Sequence, residues 1–166
     1  MTFGTLFLRV VIGGIFFAHG TQKLFGWWSG PGLKGMRGML AGGGWRLPSL
    51  MALLVSLIET SGLLLALGLL TPFVALALVA NMTVAIATVH WARGFWNTNG
   101  GYEFNLSLVA SCVAIAAIGP GRISLDRAIG WDDNLGGSWW GIAVLVLGVA
   151  AGLATVATFK GEARGS

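Results

Sequence analysis

The stretch Leu47–Leu70, LPSLMALLVSLIETSGLLLALGLL, decides the fold. It carries one ionisable residue, Glu59, in a run otherwise made of apolar, small and hydroxyl side chains. A bilayer core takes about 20 residues of helix, and this run has that length. Glu59 lies about twelve residues in, which at ~1.5 Å rise per residue puts it near the bilayer middle. A carboxylate there is costly unless it is paired with a cation or held protonated. The run therefore marks both a membrane span and a candidate functional group.

Four further stretches read the same way: Phe3–Phe25, Phe73–Trp91, Tyr102–Ile118 and Trp139–Phe159. Charged residues are 10% of the chain and apolar residues 55%, whereas a soluble domain carries about 25% charged residues. Such a chain lacks the polar surface to cover itself in water, and an all-α polytopic membrane helix bundle is expected. The net charge of +4 falls mostly in loops and contains no basic run, so it reads as a topology signal and not a nucleic-acid footprint. Cys112 is the only cysteine, which excludes an intrachain disulfide and a C-x-x-C relay; it reads as a small buried apolar side chain. No Lys or Arg precedes the first stretch, which is longer than the ~7–15 residues of a signal-peptide core, so it reads as a retained helix.

All eight tryptophans lie at or near predicted helix ends or in loops, as an aromatic belt at headgroup level requires. The segment Gly26–Arg46 is glycine-rich, with a short amphipathic piece expected near Lys34–Leu40 or a fold over the bundle mouth. Alternating spans place this segment, the Arg93–Gly101 loop and the C-terminal tail on one side, with Lys34, Arg37, Arg46, Arg93, Lys160 and Arg164. The other side holds Arg122 and Arg127. The positive-inside rule then puts the first side in the cytoplasm and the N-terminus outside.

Helical spacing assembles the polar faces. Arg9, Gly13, Phe16, Gly20 and Lys23 share one face of the first helix, with His19 at its edge. Ala52, Ser56, Glu59, Gly62 and Ala66 share one face of the second. On the third, His90 aligns with Thr83 and Ala87, and Asn81 and Thr88 fall opposite. On the fourth, Ser107, Ala110, Ser111 and Ala114 align with Glu103. On the fifth, Gly148 and Gly152 form a G-x-x-x-G signature for close packing within the bundle or with another subunit. Glycines beside charges mark interior faces. Glu59 is open to pairing with Arg9 or Lys23, which would fix helix register, or to a proton-handling role beside a ligand pocket.

The candidate ligand-binding or proton-handling residues are thus His19, Lys23, Glu59, His90, Glu103 and Arg9, with Trp27 and Trp91 as candidate pocket walls. Two histidines at similar depth raise a haem. Histidines near helix ends are more often interfacial, and Lys23 stands one turn from His19, so haem is not expected. No close ligand spacing such as H-x-x-x-H suggests a metal. No phosphate loop, dinucleotide fingerprint or nucleophile elbow occurs.

Read in order, Arg9, His19-Gly20-x-Gln22-Lys23-Leu24-Phe25-Gly26, Glu59-x-x-Gly62, Gly68-Leu69-Leu70-Thr71-Pro72, His90, Gly101-Tyr102-Glu103-Phe104-Asn105 and Gly119-Pro120-Gly121-x-x-Ser124-Leu125-Asp126 form a set that resembles the DoxX family of small bacterial membrane proteins. The resemblance covers Thr5 to Asp126. It implies a four-helix membrane core over residues 1–126, leaving 127–166 as a linker and an additional fifth transmembrane helix. Relatives are linked to redox complexes. One branch resembles the membrane subunit of thiosulfate:quinone oxidoreductase, and another is associated with a complex handling sulfur and oxidative stress. The family's motif positions fall on Arg9, His19, Lys23, Glu59, His90 and Glu103. Two departures stand out: Ser61 where a glycine pair is common, and the fifth helix.

Two functions follow from different premises. The first is an integral membrane subunit of a redox complex in the bacterial cytoplasmic (inner) membrane. There His19, Lys23, His90, Glu59 and Glu103 serve a quinone, no cofactor is covalently bound and partner proteins supply electrons. The second is a non-catalytic scaffold, assembly or anchoring subunit, in which the buried charges only set register. A small transporter is disfavoured by the lack of an inverted repeat.

Overall fold

The computed structural model describes residues 2–161. Helix α1 spans Thr2–Phe25, α2 Gly32–Gly42, α3 Pro48–Thr60, α4 Gly62–Leu67 and α5 Thr71–Ala85. Helix α6 spans Glu103–Ile118, α7 Leu125–Ala128 and α8 Ser138–Phe159. Proline opens α3 and α5, where its missing N–H costs nothing. Helices α3 and α4 form one span, Pro48–Leu67, jointed at Ser61, whose hydroxyl donates to the Ile58 carbonyl at 2.6 Å. The third span runs on from α5 through a π turn, Ile86–His90, to Arg93.

Among the described residues, four helices are long and apolar enough to cross a membrane: Phe3–Phe25, Pro48–Leu67, Thr71–Arg93 and Ser138–Phe159. Helix α6, the fourth predicted span, is shorter at 16 residues. It nevertheless connects the two ends of the bundle. Its first residue follows the loop that holds His90, and Gly137, at the start of α8, donates to the Ala117 carbonyl at 2.9 Å.

Helix α1 packs on α3 and α4; α5 packs on α6 and α8; contacts of α1 with α6 and of α5 with α3 and α4 close the bundle. Close approach is bought with glycine. A Cβ on Gly13 would strike the Gly62 carbonyl, and one on Gly20 would strike the Thr60 amide. The G-x-x-x-G of α8 packs inside the bundle: a Cβ on Gly148 would come within 2.7 Å of Val79, and one on Gly152 within 2.6 Å of the Ala80 carbonyl. Val144 of α8 joins the same buried cluster as Phe16, Leu65, Leu78 and Cys112, so α8 shares the core.

Helix α6 is turned differently from the expected polar face. Asn105, Leu108, Val109, Cys112, Ile115 and Ala116 point inward, and Ser107, Ala110, Ser111 and Ala114 are not buried. The serines need no partner helix. Ser107 donates to the Glu103 carbonyl at 3.0 Å and Ser111 to the Ser107 carbonyl at 2.8 Å, which satisfies each hydroxyl locally.

The end of the bundle away from α2 is held by a second acid. Asp126 is fully buried and accepts from the Leu70 amide (2.8 Å), the Thr71 amide (3.0 Å) and the Thr71 hydroxyl (2.7 Å). It thereby caps α5 at a point where Leu70 adopts φ 53°. The Arg9 guanidinium lies against side-chain-free Gly68, donates to the Ile123 carbonyl and has Asp126 as its nearby counter-charge. Two of the sequence motifs therefore meet here as a structural corner. Asp126→Ala is expected to lower unfolding stability in detergent by about 3 kcal/mol, because three donors lose their acceptor and the buried Arg9 loses its nearby counter-charge. Asp126→Asn, which keeps one acceptor oxygen, should lose less.

Candidate functional site

Glu59 is placed by close packing around Gly20. Because that glycine lets α1 touch the backbone at Glu59 and Thr60, Lys23, one turn further along α1, reaches the carboxylate. Lys23 Nζ stands 2.5 Å from Glu59 Oε1, and Asn81 Nδ2 donates to the same oxygen at 3.0 Å. Glu59 is 2% exposed and Lys23 26%. The other oxygen, Glu59 Oε2, is buried with no hydrogen-bond partner.

This cluster lines a cavity of about 500 Å³. One stripe of α3 (Leu50, Met51, Leu54, Val55, Ile58, Glu59) forms one wall, and one stripe of the third span (Ala80, Asn81, Val84, Ala85, Thr88, Val89, His90) the other. Met36, Met39 and Leu40 of α2 roof it, with Trp45 beside them. The amphipathic piece expected near Lys34–Leu40 is thus a helix that folds over the bundle mouth.

His90 reaches this cavity by a route that regular helical spacing misses. At 100° per residue it aligns with Thr83 and Ala87, away from Asn81 and Thr88. The π turn Ile86–His90 is wider than an α turn and shifts the phase by about one residue. His90 therefore lines the same cavity as Asn81 and Thr88, while Thr83 and Ala87 line a separate apolar groove between α5, α6 and α8. His90 Nδ1 lies 2.7 Å from the Gly100 carbonyl. A carbonyl only accepts, so Nδ1 carries the proton and Nε2 of the neutral ring is the acceptor.

The remaining candidates sit elsewhere. Arg9 belongs to the Asp126 corner at the far end of α1. Lys23 follows Arg9 by fourteen positions, about 21 Å of helix, so one face carries both but one site does not. His19 is exposed on α1 beside the ring of Phe104, 6.4 Å between centroids. Glu103 Oε2 accepts from the Asn97 amide at 3.0 Å and shapes the loop that presents Gly100 to His90. Trp27 is half exposed and does not line the cavity; Trp91 stacks on Tyr102 and faces the separate groove. The tryptophan that walls the cavity is Trp45, 8% exposed. Among the described residues, no three His, Cys, Asp or Glu side chains converge as metal ligands.

A sequence model of the DoxX family matches residues 4–91, which include Lys23, Trp45, Glu59, Asn81 and His90. The chain is similar to "Putative oxidoreductase CatD" of Bacillus subtilis (strain 168), with 34% identity over 125 residues, 74% of this chain and 84% of the relative. No solved structure matches.

Proposed function

Because the chain belongs to the DoxX family and is a multi-pass membrane protein, we propose that it is the membrane subunit of a redox assembly and that the Glu59 cavity takes the ring of a quinone. One observation carries the reading: Glu59 Oε2 is a buried acceptor with no partner, on the wall of an apolar slot whose other polar groups are donors or bases. Buried polar atoms are otherwise almost always satisfied, so an unpaired one beside a cavity suits a ligand hydroxyl. The oxidoreductase name of the Bacillus relative agrees with this.

The bound ring would supply two-electron chemistry: quinone plus two electrons and two protons gives quinol. Lys23 and Asn81 serve as donors to a ring carbonyl. Glu59 Oε2 and His90 Nε2 accept or return the two protons. A partner oxidoreductase supplies or takes the electrons. The end bearing Lys34, Arg37, Arg46 and Arg93 faces the cytoplasm of the bacterial inner membrane. The Lys23–Glu59 pair also favours the scaffold reading, since it pins α1 to α3; the paired substitutions discussed below separate the two.

The test is an anaerobic calorimetric titration of the protein in lipid nanodiscs with a decyl-substituted benzoquinol, whose ring hydroxyl donates to Glu59 Oε2. Saturable one-to-one binding is expected, weakened about 10- to 100-fold by Glu59→Gln, the loss of one charge-assisted hydrogen bond. Absence of saturable binding to the natural protein would refute the reading.

A further inference from the structure

The cavity has a second polar end, built by the last turn of α8, which lies outside the family-matched residues 4–91. Thr155, Phe159 and Lys160 line it. Two backbone hydrogen bonds, which together make one antiparallel bridge, hold that turn against the connection between α2 and α3. Trp45 and Lys160 form an antiparallel bridge, the Arg46 amide donates to the Phe159 carbonyl at 2.7 Å, and the Gly161 amide donates to the Gly44 carbonyl at 3.0 Å. Lys160 is therefore positioned by the fold and does not hang from a tail.

Its charge is unpaired among the described residues. Lys160 is half-buried, and among the described residues its ammonium makes no hydrogen bond or ion pair. By contrast Lys23 is neutralised by Glu59. No acid occurs between Phe25 and Ile58, while Lys34, Arg37 and Arg46 do, so the segment roofing the cavity adds only positive charge. On the slot wall, Glu59 lies nine positions beyond Leu50 along α3, about 13 Å. Leu50, Leu54, Val55 and Ile58 of that wall lie, along α3, between Glu59 and the connection to which Lys160 is tied.

Resting on the quinone reading, we infer that Lys160 makes the outer end an anion-recognising pole. The preferred ligand is an amphiphile with its ring or polar head at Glu59 and an acidic group at Lys160, at the other end of the same cavity. An ammonium beside apolar walls is short of acceptor oxygens, and a carboxylate or phosphate supplies them. The acidic group comes either from the ligand itself or from a lipid headgroup seated at the cavity mouth.

Two probes test this in zwitterionic nanodiscs: a benzoquinone with a decyl chain ending in methyl, and the same quinone with the chain ending in carboxylate. The natural protein should bind the carboxylate form at least about fivefold more tightly, a figure set low because Lys160 is partly solvated. Lys160→Met should erase that preference and leave the methyl-ended probe unchanged, and Lys160→Arg should keep it. Binding of both probes with equal affinity overturns the inference and leaves the quinone reading standing. Binding of neither overturns both. Repeating the titration with anionic lipid separates the sources: loss of the preference marks a lipid headgroup at Lys160, and its persistence marks the ligand's own acid.

Discussion

Replacing Lys23 by methionine and Glu59 by leucine together yields a protein about as stable as the natural one that no longer binds quinone. Each single change costs more than the pair. Lys23→Met leaves a carboxylate 2% exposed without its cation, and Glu59→Leu strands an ammonium against apolar walls. Breaking a buried pair from one side costs about 3–5 kcal/mol, and the partial exposure of Lys23 argues for the lower end. The double change removes both charges and keeps the volume, which is commonly neutral. A residue of about 1 kcal/mol remains because Asn81 loses its acceptor. Unfolding midpoints in detergent, with quinone titrations on the same four proteins, read both quantities. A scaffold that uses the pair only for register would show assembly with its partners intact in the double variant and no quinone binding in any of the four.

Gly20→Ala should destabilise the bundle by about 2–3 kcal/mol, and Gly14→Ala should leave it unchanged or stabilise it by up to ~1 kcal/mol. Both glycines lie in the same helix, so propensity favours alanine equally at each. The difference is what stands opposite. A Cβ on Gly20 would overlap the Thr60 amide and come within 2.6 Å of the Glu59 carbonyl carbon, backbone that cannot turn aside. A Cβ on Gly14 meets nothing within 4 Å. Forcing α1 away from α3 also carries Lys23 away from Glu59, so Gly20→Ala should weaken quinone binding as well. Equal stabilities for the two alanine variants would show that the α1–α3 contact is not where Lys23 gets its position.

Much of this was readable in the residues. The lone acid in Leu47–Leu70 and the glycines sharing faces with charges identified the interior sides of α1 and α3, because both signals are local and periodic. The Lys23–Glu59 pair was one of two options that depth left open. The phase of the third span was not readable: Ile86–His90 contains neither Gly nor Pro to announce a π turn, yet that turn moves His90 from the Thr83 side to the Asn81 side. Asn81 was visible only as a polar residue on the wrong face for the same reason. Trp45 and Lys160 come to the cavity through backbone ties between segments more than a hundred residues apart, which no short-range pattern encodes. The outward serines of α6 misled because small polar residues suit a packed face and also satisfy themselves.

The most direct measurement is photo-crosslinking with an azido-quinone held in its quinol form in native membranes, followed by mapping of the labelled peptides. Labels confined to the α3 stripe Leu50–Ile58, to Val84–Val89 and to Trp45 are predicted, and Glu59→Gln should suppress them. Labels gathered instead on Leu106, Val149 and Leu153, in the groove between α5, α6 and α8, would contradict the assignment of the Glu59 cavity as the quinone site.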